Sequence, residues 1–501
     1  MPRAARLRLP VLVFAAGGAS LAAEMTGTRL LAPFFGASNL VWANVIGLIL
    51  IYLSVGYWLG GRLADRHPTE RALGLLVLGA AATLAVVPFA TRPLFSAAQR
   101  AFEGLSAGAF IGSFLGAMLM FALPITALGA VSPWAVRLSV RDVHTAGEVS
   151  GRLYALSTIG AIVGTFLPVL LLIPEIGTRR TLLLIAALLA LAAVPLVGWR
   201  ATAVPALIAC LFALPLGGVK GAPGETVLFE GESAYQFVQV ARQSDGDVVL
   251  RLNEGWALHS LTPRRGPLTG GYWDAFATLP LLTGRPDGRL AVLGNAGGTL
   301  ANIYAALWPR TAIDGVEIDP LVSDVGRRYM GMTNPRLSVH TADARFWLQG
   351  TDERFDAIVV DAYRQPYIPF HLATREFFQL VRERLRPGGV VAINIGTPPD
   401  QTEVVGRIAQ TMRAEFPAVL SSRFERFNSI VIGFTDAAGA AAAASRLDGA
   451  RGRVATPARR LAESLQVVTA GQDPLTDDHA PIEWLTDRAL LAYLREGAPG
   501  S

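Results

Sequence analysis

Between Met1 and Lys220 the chain passes through one apolar stretch after another, with arginines gathered in the short breaks between them. Crossing a bilayer takes about 20 consecutive apolar residues. In lipid such a stretch must be helical, because no water is present to satisfy its backbone. Seven stretches reach or approach that length, at about 8–30, 40–60, 72–91, 105–135, 151–173, 180–198 and 201–218. Residues 1–220 are therefore expected to form a polytopic α-helical membrane domain with the lipid bilayer as its partner. The 501 residues are 52% apolar, with a mean hydropathy of +0.41, and the excess lies before Lys220, the only lysine in the chain.

Arginine placement orients this half. Arg3, Arg6 and Arg8 precede the first stretch, Arg62, Arg66 and Arg71 follow the second, and Arg137, Arg141 and Arg152 separate the fourth and fifth. The opposite breaks hold mainly Arg92, Arg100, Arg179 and Arg180. Basic residues favour the cytoplasmic side, so the N-terminus is expected there, in a multi-pass protein of the cell membrane of the bacterial inner-membrane kind. The basic start, "MPRAARLRLP", suits a retained first helix better than a cleaved signal, because further spans follow at once. The last stretch is short and holds two prolines. As a seventh span it sends the following domain outside; as a re-entrant or interfacial segment it leaves six spans and a cytoplasmic domain. The loop "GGRLADRHPTER" resembles the one between the second and third helices of major-facilitator transporters, and it also suits an interfacial ion pair around Asp65. Glu24 and Arg29 are ionisable at membrane depth, which makes them functional candidates.

The net charge of +5 does not make a nucleic-acid binder, because the arginines are dispersed and sit where membrane loops put them. With one cysteine, Cys210, and six scattered histidines, neither a disulfide framework nor a metal site is expected.

From Glu225 the texture changes. Apolar and polar residues alternate around the turn "SDGD", which is the pattern of β-hairpins, and a small β-rich subdomain is expected over 224–285. From 286 to 501 strands alternate with helices. "RLAVLGNAGG" is a buried strand running into a glycine turn and "TLANIYAALW" a helix. "TAIDGVEID", "RLSVHTADA", "FDAIVVDAY" and "VVAINIG" are further strands, with the helix "TREFFQLVRERLRPGG" before the last. This alternation predicts a doubly wound, mostly parallel, Rossmann-like sheet, and ligands of such sheets sit at the carboxyl ends of the strands. Gly294, Gly297 and Gly298 let the backbone approach a ligand closely. Glu317 is spaced to accept ribose hydroxyls. Asp343 with Ala344 is placed for an adenine edge, and Asp361 ends the fourth strand.

The segments "ESAYQ", "GYWDAF", "LGNAGGT", "VEID", "TADAR" and "VVDAYRQPYIP" resemble, in order, those of spermidine synthases and related polyamine aminopropyltransferases. Together with "LTDDHAPIEW" and the apolar half, the chain is similar to a bacterial group that fuses such a domain to a membrane region. The resemblance implies an S-adenosylmethionine-methyltransferase-like fold and a transferase. Decarboxylated S-adenosylmethionine would serve as co-substrate, a diamine as acceptor, and methylthioadenosine would leave, with no tightly bound cofactor and no metal. It implies Asp361 as the base. It places Gln236, Gly294, Gly297, Gly298, Glu317, Asp343 and Ala344 on the donor, and Tyr272, Asp274 and Tyr363 on the acceptor. A homodimer is a common assembly in that family.

Three positions depart from the family pattern: the acid expected after the channel tyrosine survives only as Asp274, behind Trp273, and two others are replaced outright. Ala296 stands where an aspartate is usual in the glycine loop, and Arg364 stands three residues after Asp361 where a second aspartate is usual. An arginine there is electrostatically wrong for a polycation. Two other readings follow: a methyltransferase using S-adenosylmethionine, or a non-catalytic domain that senses a ligand for a transporter-like membrane half.

Overall fold

A computed structural model describes residues 3–35, 39–103, 107–213, 224–253, 258–363, 367–469 and 471–496. Arg364 and the end of the last apolar stretch lie outside the described residues. The chain divides into two compact units, one of residues 1–218 with 232–234 and one of the remainder.

The first unit is helical. Among the described residues, six helices are long and apolar enough to cross a membrane: Leu7–Leu31, Trp42–Arg66, Glu70–Ala90, Met118–Ser139, Val143–Ile176 and Thr178–Val197. The seventh stretch yields only the shorter helix Trp199–Ala213. The remainder of that stretch, including Pro215, lies outside the described residues. Some of the helices meet backbone to backbone. A Cβ on Gly164 would lie 2.0 Å from the Gly18 carbonyl oxygen, and one on Gly160 2.1 Å from that of Phe14. Only small residues allow such a close backbone crossing. In the last turn of the second helix, Asp65 pairs with Arg137 at 2.9 Å. Both are well exposed, so the pair contributes at most about 1 kcal/mol. Glu24 is buried within the helices, at 6% exposure.

The second unit holds two sheets. The smaller is four-stranded, in the order β1 (Thr226–Glu232), β2 (Phe237–Arg242), β3 (Val248–Leu252) and β4 (Leu258–Thr262). Its "SDGD" segment forms the β2–β3 turn, where Gly246 has φ +96°. The larger sheet contains the five strands expected from the sequence: β5 (Arg289–Leu293), β6 (Ala312–Glu317), β7 (Leu337–Thr341), β8 (Phe355–Val360) and β9 (Leu385–Gly396). Three further strands were not apparent in the sequence: β10 (Ala418–Arg423), β11 (Asn428–Phe434) and β12 (Leu465–Val467). The order is β12-β10-β11-β9-β8-β5-β6-β7. β5 pairs parallel with β6 and β8, β9 parallel with β8, and β11 antiparallel with β9 and β10.

Strands β5 and β8 are apolar on both faces and nearly fully buried, as a central parallel strand must be. One face of the sheet packs against Phe377, Phe378, Ile408 and Met412, the other against Leu300, Ala301, Tyr304 and Leu461. From β5 the chain winds outward through β6 and β7, then crosses back to β8 on the other side of β5. The strand order therefore reverses between β5 and β8, and a ligand crevice is expected at their carboxyl ends.

Candidate active site

The turn after β5 is held at that reversal point. Gly294 has φ +95°, and a Cβ there would lie 2.5 Å from the Asp361 carbonyl oxygen. The Asp361 N–H donates to the Leu293 carbonyl at 2.8 Å. These contacts bring the glycine turn and the end of β8 together without room for any other side chain. Gly297 donates its N–H to Ser260 Oγ at 2.8 Å, which ties the turn to the small sheet. Gly298 adopts φ +84° at the start of the helix Thr299–Leu307.

Glu317 ends β6 beneath the same turn. Its carboxylate accepts from the Ala296 N–H and the Asp319 N–H, each at 3.0 Å. Burial pushes its pKa up to about 7 against the pull of those donors. Gln236, just before β2, donates to Asp319 Oδ2 at 3.4 Å and so joins this cluster from the small sheet. Asp343 is partly committed elsewhere. Its Oδ1 caps the helix Ala344–Gly350, accepting from Arg345 and Phe346, while its Oδ2 lies 3.4 Å from His371 Nε2. Ala344 is buried beside it, at 8% exposure.

Asp361 emerges from the end of β8 into a polar nest. Its Oδ2 accepts from the Tyr272 hydroxyl at 3.0 Å, and its Oδ1 accepts from Asn394 Nδ2, also at 3.0 Å. Burial raises its pKa to about 7, and the Asn394, Tyr272 and Trp273 donors oppose the rise. The phenol of Tyr272 is in turn held well above the usual range by burial and by the Asp361 charge. Tyr363, two residues on, is oriented by β9. Its hydroxyl donates to the Asn394 carbonyl at 2.9 Å and accepts from the Gly396 N–H at 2.6 Å. Only the ring of Tyr363 is left to face a ligand.

Asp274 is occupied by its own loop. It accepts from the Thr269 N–H and Oγ1, both at 2.9 Å, and from the Gly270 N–H at 2.8 Å. This carboxylate fixes the entry to Tyr272. Glu425, in the turn between β10 and β11, lies beside the Tyr272 backbone, and burial raises its pKa. Neither Asn394 nor Glu425 was singled out from the sequence. Asn394 was detectable as the polar residue inside the buried run "VVAINIG"; nothing in the sequence pointed to Glu425. Among the described residues no group of three or more His, Cys, Asp or Glu is placed to hold a metal ion.

Strand order and directions in the larger sheet define a Rossmann-like domain of the methyltransferase type. Within it, residues 272–434 match the family model for the spermine/spermidine synthase domain; the C-terminal part of the chain carries a spermidine synthase-like domain. A probable polyamine aminopropyl transferase of Bifidobacterium longum is 35% identical over 189 residues, covering 38% of this chain and 42% of that protein. A polyamine aminopropyltransferase of Mycobacterium tuberculosis is 27% identical over 404 residues, covering 70% and 75%. The crystal structure of a probable spermidine synthase from Corynebacterium glutamicum aligns with a TM-score of 0.38 at 20% identity, covering 51% of this chain and 99% of that one. The chain spans about two fifths to a half of the length of the first curated relatives it matches.

Proposed function

We propose that the protein is a polyamine aminopropyltransferase. It would move the aminopropyl group of decarboxylated S-adenosylmethionine to a diamine and release methylthioadenosine. The observation that carries this reading is the Asp361 carboxylate, held by Tyr272 and Asn394 at the reversal point of the sheet, with a pKa near 7.

The acceptor amine is an ammonium ion at neutral pH, with a pKa of about 10. Ionised Asp361 takes its proton, and the freed nitrogen lone pair attacks the methylene carbon next to the sulfonium. A C–N bond forms as the C–S bond breaks, and the electron pair of the C–S bond leaves on sulfur as a neutral thioether. The sulfonium is already a good leaving group, so the protein's task is to orient both partners and to manage one proton. Glu317 and Gln236 would hold the ribose and methionine-derived parts of the donor. The Tyr272 and Tyr363 rings would flank the acceptor chain. Asp361→Asn tests the reading: nucleoside release should stop while the donor still binds, and unchanged release removes Asp361 from the chemistry.

The helical unit is proposed as a multi-pass membrane domain. The six long apolar helices and outward-facing Leu119, Leu123 and Leu170 support this. Six crossings from a cytoplasmic N-terminus return the enzyme to the cytoplasm, where its small-molecule substrates would be met. Reporter fusions after Lys220 test the side: cytoplasmic reporter activity is expected, and periplasmic activity contradicts six crossings.

A further inference from the structure

The β10–β11 turn reaches the Asp361 carboxylate through a chain of two amides. Asn428, the first residue of β11, donates from Nδ2 to Asn394 Oδ1 at 3.0 Å, and Asn394 Nδ2 donates to Asp361 Oδ1 at 3.0 Å. Three residues earlier, Glu425 lies beside the Tyr272 backbone. The turn itself is closed by its own backbone, with the Glu425 N–H donating to the Asn428 carbonyl at 3.0 Å and the Asn428 N–H returning to Glu425 at 3.3 Å. The Thr397 N–H also donates to the Phe427 carbonyl, at 2.8 Å.

The direction of this amide chain is set by chemistry. An ionised carboxylate only accepts hydrogen bonds, so Asn394 must present its NH2 group to Asp361 and its oxygen to the other side. Asn394 is buried, at 2% exposure, so that oxygen needs a donor. Asn428 supplies it and thereby locks Asn394 against flipping.

We propose that Asn428 is a positioning residue. Acting through Asn394, it keeps one donor fixed on Asp361 and so favours the ionised carboxylate that accepts the amine proton. The proposal rests on the reading of Asp361 as that acceptor. The titratable groups around Asp361 are Tyr272 and Tyr363, with Glu425, Asp274 and Arg460 grouped behind Tyr272. None of them replaces the Asn394 donor.

The test is the pH profile of nucleoside release by the detergent-solubilised full chain, given decarboxylated S-adenosylmethionine and a diamine. It compares the wild type with Asn428→Ala, Asn428→Asp and Asp361→Asn. Asn428→Asp is nearly isosteric, but its carboxylate accepts only, so Asn394 must turn its NH2 towards position 428 and its oxygen towards Asp361. The acid-side midpoint of kcat/KM should then rise by about one pH unit or more, and by roughly half a unit in Asn428→Ala. The KM for the donor should stay unchanged, and thermal unfolding should report a folded protein. A merely structural role would lower the unfolding temperature and leave the midpoint in place. If Asp361→Asn is inactive and both Asn428 variants keep the wild-type midpoint, the positioning role is overturned. If Asp361→Asn remains active, or the wild type releases no nucleoside, the underlying reading of Asp361 falls instead.

Discussion

The Tyr272 hydroxyl lies 3.0 Å from Asp361 Oδ2, across 89 residues of sequence. Tyr272 is set by the loop that Asp274 holds, whereas Asp361 is set by the end of β8. Their meeting places a proton donor on a carboxylate whose burial holds its pKa near 7.

That carboxylate predicts a pH dependence. The base form of Asp361 is the ionised one, so kcat/KM should rise as pH increases through about 7. Tyr272→Phe removes a donor that favours ionisation, and the rising limb should move to higher pH. Asp361→Asn should cost about 10²- to 10⁴-fold in turnover, the usual range for a lost general base. A flat profile between pH 6 and 8 would speak against proton transfer to Asp361.

Glu317 predicts a linked effect on ligand binding. Ionised Glu317 can accept from two ribose hydroxyls, but burial holds its pKa at about 7. Methylthioadenosine should therefore bind more tightly at pH 8 than at pH 6, with a proton released on binding below pH 7. Glu317→Gln should weaken binding by roughly 10- to 100-fold, the equivalent of a charge-assisted hydrogen bond, and abolish the pH dependence. Calorimetry in two buffers reads both quantities. In the free protein the sign is opposite: the folded state holds this proton more tightly than the unfolded chain, so Glu317 makes stability fall as pH rises from about 4.5 to about 7.

Ala296 predicts a change in stability. It sits at φ +45°, a left-handed conformation that costs an L-residue about 1–2 kcal/mol. Ala296→Gly removes that strain but frees the unfolded chain, which offsets about 0.4–1 kcal/mol. Thermal unfolding should therefore show a net gain of up to about 1.5 kcal/mol. Aspartate tolerates this conformation better than alanine does, so Ala296→Asp should fold as well. A loss of stability in Ala296→Gly would contradict the strain.

Asp274 separates a loop role from a substrate role. Asp274→Ala strands three donors of the Thr269–Gly270 segment and should cost about 2–3 kcal/mol. The amine KM should rise only as a consequence of Tyr272 shifting. A higher amine KM with unchanged thermal stability would instead place the Asp274 charge on the acceptor.

Much of the larger sheet was legible in the sequence because β5, β6, β8 and β9 are apolar runs that end in glycines or acids. β10 and β11 were not, because antiparallel strands at the far side of such a sheet carry no ligand-bearing turn to mark them. Glu317 and Asp361 could be found as acids at strand ends. The role of Asp274 could not, since a carboxylate five residues from Thr269 fits equally well facing its own loop or facing a pocket. Asn394 was not singled out, though it is a polar residue in a buried run; its partner Asn428 lies 34 residues away, and only the β9–β11 pairing brings them together.

The most direct measurement follows the nucleoside product by mass. The purified full chain would be given decarboxylated S-adenosylmethionine or S-adenosylmethionine, each with a panel of diamines. Methylthioadenosine is expected, formed only from the decarboxylated donor and only when an amine is present. S-adenosylhomocysteine from the intact donor would make the protein a methyltransferase. Binding of either donor without any product would make the domain a ligand sensor, and either result would contradict the account.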